Sequence, residues 1–264
     1  MHATPTAAES VLNVEHIAVH FGGLVAVADM SFEVREGEVV SLIGPNGAGK
    51  TTAFNVITGF VAPVSGRVSY RGRSLNGLRP NDVAELGLVR TFQKTSVFAN
   101  DTVFDNILIG LHRRARARTW EVLLGLPKVR GEEKRLREQA WEILEFINLD
   151  GRADELGGAL PYGEQRLLEV AVALAADPSL LMLDEPVSGM NPAETANFMK
   201  TLARIRERGM TILLVEHDMR MVMGVSDRVV VLNHGRIIAE GSPEQVQNDP
   251  EVIEAYLGRG VKRA

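Results

Sequence analysis

Apolar residues fall along this chain in three different rhythms. The first is a short unbroken run. Val39–Ile43 ends at Gly44, and Leu180–Leu183 and Thr211–Val215 each end in acidic or polar residues. Runs of this length, with both faces apolar, read as strands of a buried parallel sheet. Helical stretches separate them: Lys50–Thr58, stopped by Gly59, then Gly163–Ala176 and Pro192–Arg208. Strand and helix in alternation imply right-handed crossovers. The second rhythm is alternating and turn-bounded. It covers Val11–His20, Met30–Val34 and Gly66–Arg71, which read as short strands of an antiparallel sheet flanking the core. Val229–Leu232 and Arg236–Ala239 form a hairpin through Asn233-His234-Gly235. The third rhythm has helical period. Glu132–Leu149 carries Leu136, Ala140, Ile143, Leu144 and Ile147 on one face, inside a charge-rich stretch from about Phe98 to Leu160. The chain therefore divides into a first core segment with the antiparallel strands (11–97), a helical insertion (98–160, running on to about 176) and a second core segment (177–264).

Composition narrows the chemistry. The 264 residues are 45% hydrophobic and 24% charged, a globular profile, and the net charge of −5 argues against a general nucleic-acid binder, which needs a basic face. With no cysteine, disulfides, zinc–thiolate sites and thiol catalysis are excluded. The opening MHATPTAAES lacks the basic start and apolar run of a secretory signal. Val170–Ala176 and Met210–Val215 fall far short of the roughly 20 residues that cross a bilayer.

Between the first parallel strand and its helix lies Gly44-Pro45-Asn46-Gly47-Ala48-Gly49-Lys50-Thr51-Thr52, a full match to G-x-x-x-x-G-K-[ST]. Successive backbone N–H groups of such a loop point inward and bind β- and γ-phosphate oxygens. Gly44, Gly47 and Gly49 permit the close approach, Lys50 adds a point charge, Thr51 offers a hydroxyl to Mg²⁺, and the helix beginning there adds its positive dipole end. The loop predicts a nucleotide phosphate chain with Mg²⁺ as ligands, and, with the motifs that follow, the nucleotide is ATP.

A phosphate loop alone does not separate kinases, GTPases and transport ATPases. The order of the remaining motifs does. Arg90-Thr-Phe-Gln93 is followed by Leu160-Pro-Tyr-Gly-Glu-Gln-Arg166, then Leu180-Leu-Met-Leu-Asp-Glu-Pro186, Ser188-Gly-Met-Asn191 and Val215-Glu-His-Asp218. In order and spacing the chain resembles the ATP-binding-cassette (ABC) ATPases over nearly its whole length. The resemblance implies an α/β fold with a P-loop NTPase core, a mixed parallel sheet, a flanking antiparallel β subdomain and an inserted helical subdomain.

It also implies roles for individual residues. Asp184 would orient Mg²⁺ or a magnesium-bound water, and Glu185 would act as general base or orient the attacking water. Gln93 would contact both Mg²⁺ and that water, His217 would touch the γ-phosphate, and Phe21 would stack on adenine. Tyr162, Gly163 and Glu164, at the start of the signature helix, would close over a nucleotide. Here the chain departs from the family's usual L-S-G-G-Q. Pro161 replaces the serine, Tyr162 the first glycine and Glu164 the glutamine, which removes the serine hydroxyl contact. A tyrosine at that place resembles the ATP-binding subunits of branched-chain amino acid importers. So do Phe21-Gly-Gly-Leu-Val-Ala-Val27, Ser188–Thr195, the His-Asp-Met of 217–219 and the tail Asp249–Leu257.

In that family two cassettes meet head to tail, each signature helix closing over the other's ATP. The resemblance therefore implies a second ATPase subunit, identical or related, two transmembrane permease subunits, and indirectly a periplasmic or extracellular substrate-binding protein, with this chain peripheral on the cytoplasmic face of the membrane. The cluster Arg113, Arg114, Arg116 and Arg118 reads as a solvated helix face or as a contact with anionic lipid or a permease loop. Alternative cargoes are urea, an amide or a lipid. A regulator of translation or DNA repair from the same family usually carries tandem cassettes or a coiled-coil insertion, and neither is present. A P-loop kinase or GTPase would leave residues 160–166 and His217 without a job, and no N-K-x-D base-reading motif occurs.

Overall fold

A computed structural model describes residues 9–91, 97–112 and 127–257. Gln93 and the Arg113–Arg118 cluster lie outside the described residues.

Among the described residues, ten strands form one sheet in the order β5-β4-β1-β2-β10-β9-β3-β8-β7-β6. Its parallel part is built from β3 (Val39–Ile43), β6 (Leu88–Arg90), β7 (Leu180–Asp184), β8 (Thr211–Val215) and β9 (Arg228–Asn233). β3, β7 and β8 are buried at every position. Alternate residues serve opposite faces: Leu181, Leu183, Ile212 and Leu214 join one core, while Leu180, Met182, Leu213 and Val215 join the other. A strand covered on both faces has no polar positions to show, which is why these runs are continuous in the sequence.

The first core lies under the helices α3 (Val103–His112), α4 (Pro127–Ile147), α5 (Tyr162–Ala175) and α6 (Pro192–Glu207). Ala140, Leu144 and Ile147 of α4 are buried, with Leu136 and Ile143 half-buried against them, on the face that the helical period marks. The second core packs α1 (Lys50–Ile57) between the parallel strands and the antiparallel ones.

β1 (Ser10–Phe21), β2 (Leu24–Arg35), β4 (Ser65–Tyr70) and β5 (Arg73–Ser74) pair antiparallel as expected. Two features differ from the sequence reading. β1 and β2 are 12 residues each, the longest strands described, and β2 begins six residues before Met30. The early part of β2 exposes Leu24 and Val25, so the alternation that marks a core strand is absent there, although the backbone still pairs with β1 at Phe21–Leu24 and His20–Val25, past a register shift at Ala26. The antiparallel strands also continue the parallel sheet: β10 (Arg236–Gly241) pairs in parallel with β2 at Arg236 and Asp29. The β9–β10 hairpin turns at His234 (φ 45°) and Gly235 (φ 74°), the positive-φ pair that a two-residue turn of this kind needs.

The chain continues through α2 (Pro80–Glu85), α7 (Met219–Val225), α8 (Pro243–Gln247) and α9 (Pro250–Leu257). Among the described residues no helix is long and apolar enough to cross a membrane.

Candidate nucleotide-binding site

The site forms where parallel strands end. Leu42 of β3 and Asp184 of β7 both lie level with Val215 of β8, so the loops after these strands open on one edge of the sheet. Crevices at the carboxyl ends of parallel strands are where open α/β sheets bind ligands.

The loop after β3 is shaped by contacts that forbid side chains. A Cβ on Gly44 would stand 2.0 Å from the Leu232 carbonyl oxygen, and one on Gly49 (φ 107°) 2.6 Å from that of Ala26. The loop is also stitched to its neighbours: Gly235 donates its N–H to the Ala48 carbonyl at 2.9 Å, and its own carbonyl accepts from Ala28 N–H at 2.9 Å. The helix α1 starts at Gly49 with no side-chain cap, whereas Asn191, Asp218 and Ser242 cap α6, α7 and α8. The first N–H groups of α1 are thus left facing the loop, a ready anion site.

Lys50 is buried, and its Nζ donates to the carbonyls of Gly44 at 2.6 Å and Pro45 at 3.1 Å. Burial pushes its ammonium below the usual lysine range, opposed by the nearby carboxylates of Glu185 and Asp184.

Asp184 ends β7, 3% exposed, with Oδ2 taken by Arg90 Nη2 at 2.6 Å. Arg90 also donates to Asn55 at 2.8 Å and Thr58 at 3.2 Å, and lies 5.4 Å from the centre of the Phe54 ring. Glu185 follows in the left-handed region (φ 46°), uncommon for a residue with a side chain. Both its backbone groups are used: its N–H donates to Val215 O at 2.8 Å, and its carbonyl accepts from Ser188 N–H at 3.2 Å and Arg166 Nη2 at 3.3 Å. An outlier held this firmly aims its side chain.

One cleft of about 380 Å³ gathers Phe21, residues 46–52 and Glu185. At its mouth Phe21, Leu24 and Val25 are exposed around a turn at Gly22, an apolar lip suited to a flat ring. Gly44 and Pro45 form the base of the loop. His217 is exposed beyond the end of β8, next to Glu216, whose carboxylate is fully buried. Tyr162, Gly163 and Glu164 do not line this cleft. Tyr162 donates its hydroxyl to Ser188 O at 3.0 Å, Gly163 donates its N–H to Glu194 at 3.4 Å, and Glu164 pairs with Arg152 at 2.9 Å.

Three neighbours of the site lie in quoted motifs but receive no role from the sequence. Arg90 and Glu216 stand beside marked residues, at places where only a tertiary contact reveals a role. Tyr256 of α9 is the third. Burial pushes its phenol above the usual tyrosine range, and a hydrogen bond from the backbone of Gly44 pulls the other way.

The family model described as ABC transporter matches residues 27–188, and that described as branched-chain amino acid ATP-binding cassette transporter matches residues 236–262. The chain is 45% identical over 251 residues to the high-affinity branched-chain amino acid transport ATP-binding protein LivG of Salmonella typhimurium, covering 95% of this chain and 98% of that one. It is 43% identical over 249 residues to the corresponding protein BraF of Pseudomonas aeruginosa, covering 94% and 98%. The fold matches the crystal structure of an ATP-binding cassette of an ABC transporter in its ADP conformation with a TM-score of 0.82 at 33% identity, covering 95% of this chain and all of the other. With more than half of its length matched by the family model and nearly all of it by these relatives, this chain belongs to the ABC transporter family, as one of its ATP-binding proteins.

Proposed function

We propose that the chain is the ATP-hydrolysing subunit of an importer for branched-chain amino acids. The observation that carries the chemistry is the single cleft that joins residues 46–52 to Glu185, with Asp184 behind it. The similarity to LivG and BraF, and the match of residues 236–262, support the cargo.

In this reading adenine rests on Phe21 at the apolar lip. The amides of residues 46–52 and Lys50 hold the phosphates. Lys50 now spends its donors on two loop carbonyls, and phosphate oxygens would take their place as stronger, charged acceptors. Glu185 orients the attacking water and accepts its proton, and His217 reaches the γ-phosphate. Thr51, Asp184 and Gln93 would hold Mg²⁺ through their side-chain oxygens. The donor set fits: Asp184 gives one oxygen to Arg90 and keeps the other, and Thr51 is exposed on the cleft. A small set of protein oxygens of this kind is what Mg²⁺ would take. When bound, the ion neutralises phosphate charge.

Tyr162, Gly163 and Glu164 sit away from their own chain's cleft. They serve instead as the lid over the nucleotide of a second ATPase subunit, identical or related. An apolar groove of about 300 Å³ between β6, α3 and α5, lined by Val89, Val97, Ile109, Val172 and Ala173, supports docking of a permease loop. Two permease subunits and a substrate-binding protein outside the membrane complete the system, which holds this chain on the cytoplasmic face. The domain division at 98 and 177 belongs to the same reading, the helical part meeting the permease.

The test is Lys50→Ala, titrated with a fluorescent ATP analogue. Loss of binding is expected; affinity equal to that of the unaltered chain would overturn the assignment of the loop.

A further inference from the structure

We infer that Glu216 is a positioning residue that fixes the loop of Glu185 and the loop of His217 to each other. Its side chain is wholly buried. Oε1 accepts the N–H of Val187 at 3.1 Å, two residues beyond Glu185. Oε2 accepts the N–H groups of His217 at 2.7 Å and Asp218 at 3.1 Å. The His217 ring Nδ1 stands 3.5 Å from the same oxygen. One carboxylate thus spans two loops, one oxygen for each.

A bland role does not account for this residue. The N-terminus of α7 is already capped by Asp218, which accepts from Arg220 and Met221. β7 and β8 are already in register through their ladder, and Glu185 N–H bonds Val215 O. Burying a carboxylate is costly unless hydrogen bonds compensate it, and a serine or threonine hydroxyl could serve one loop at far lower cost. Two oxygens on one rigid group are needed only if the separation between the loops matters. The groups set by that separation are Glu185, already held at positive φ, and His217, otherwise exposed.

The inference rests on the proposed hydrolysis of ATP. The experiment compares the unaltered chain, assembled with its transporter, with Glu216→Gln, Glu216→Asp, His217→Ala and the double variant Glu216→Gln/His217→Ala, measuring ATP turnover in the assembly and nucleotide affinity and melting of the chain. In Glu216→Gln the amide nitrogen must face the N–H donor of one loop. Turnover should fall about 10- to 100-fold, the range for misplacement of a reacting group, with nucleotide affinity within about twofold. Glu216→Asp keeps the charge but is one methylene shorter; it should show the same split, and replaces Glu216→Gln if that variant does not fold. The double variant should be within about twofold of the slower single one, because residues acting as a unit are non-additive. Folded Glu216 variants with unaltered turnover, equal losses of affinity and turnover, or full additivity would each overturn the inference. No hydrolysis by the unaltered chain assembled with its transporter would sink the functional reading itself and take this inference with it. Hydrolysis intact in both would sink this inference alone.

Discussion

Arg90 grips Asp184 from behind the nucleotide site, guanidinium to carboxylate at 2.6 Å, with the two side chains only 7% and 3% exposed. The pair occupies Oδ2 of Asp184 and prevents that side chain from turning away. Breaking a buried pair from one side strands a charge, at a cost of about 3–5 kcal/mol. Arg90→Met should lose stability of that order in a urea titration. Loss of less than about 1 kcal/mol would show that Asp184 holds its place without Arg90.

Glu185 combines an active position with an unfavourable backbone. Glu185→Gln keeps the shape and removes the carboxylate, so it should bind ATP normally, turn over at least about 100-fold more slowly and accumulate as a closed dimer on size-exclusion chromatography with ATP. Near-normal hydrolysis by the variant assembled with its transporter would refute the role. Glu185→Gly should also stop hydrolysis yet melt no lower than the unaltered protein, because glycine adopts φ 46° without the roughly 1 kcal/mol that a side chain incurs there.

Gly44 tests the shape of the phosphate loop. Its missing Cβ faces the Leu232 carbonyl oxygen at 2.0 Å, a backbone atom inside a paired strand that cannot swing aside. Gly44→Ala should therefore displace β3 or the loop. We expect soluble yield or ATP affinity to fall by at least about tenfold, the equivalent of 1.4 kcal/mol or more. Gly47→Ala meets no atom within 4 Å and suffers only its φ of 81°. It should be the milder change, and the reverse order would refute this account.

Glu38 gives the acid limb of the stability profile. Burial pushes its carboxyl up, but hydrogen bonds from Arg228 and the Arg35 backbone, with the Arg228 charge, hold it below its ordinary value of 4.5. Arg228 reaches both oxygens, at 2.7 and 2.8 Å, and also the Glu33 carbonyl at 2.8 Å. A carboxylate whose folded value lies below its unfolded one contributes stability above the unfolded value and loses it as pH falls through the folded one. Glu38→Gln should thus be less stable near neutral pH and show a shallower decline below pH 4.5. Melting curves from pH 7 to 3 check this; parallel profiles would deny Glu38 the role.

The parallel strands and the phosphate loop were legible because their physics is local. A strand buried on both faces must be apolar throughout, and a loop that wraps phosphate must carry glycine where a Cβ would strike Leu232 or Ala26. The early part of β2 was not legible, because Leu24 and Val25 face the lip of the cleft and break the alternation expected of a half-buried strand. Arg90, Glu216 and Tyr256 were invisible for another reason. Arginine at the end of a strand, glutamate before a histidine and tyrosine in a short helix are ordinary at those places. Their partners Asp184, Val187 and Gly44 are respectively 94, 29 and about 200 residues away in the chain, so only the fold brings them together.

Gly235 joins the phosphate loop to β2 with one residue, its N–H on Ala48 and its carbonyl on Ala28. Any outward swing of the loop must release that N–H to water. The exchange of a single backbone hydrogen therefore times the opening of the loop, and protection at Gly235 that rises with added nucleotide would read the coupling between ligand and sheet directly, with no label in the cleft.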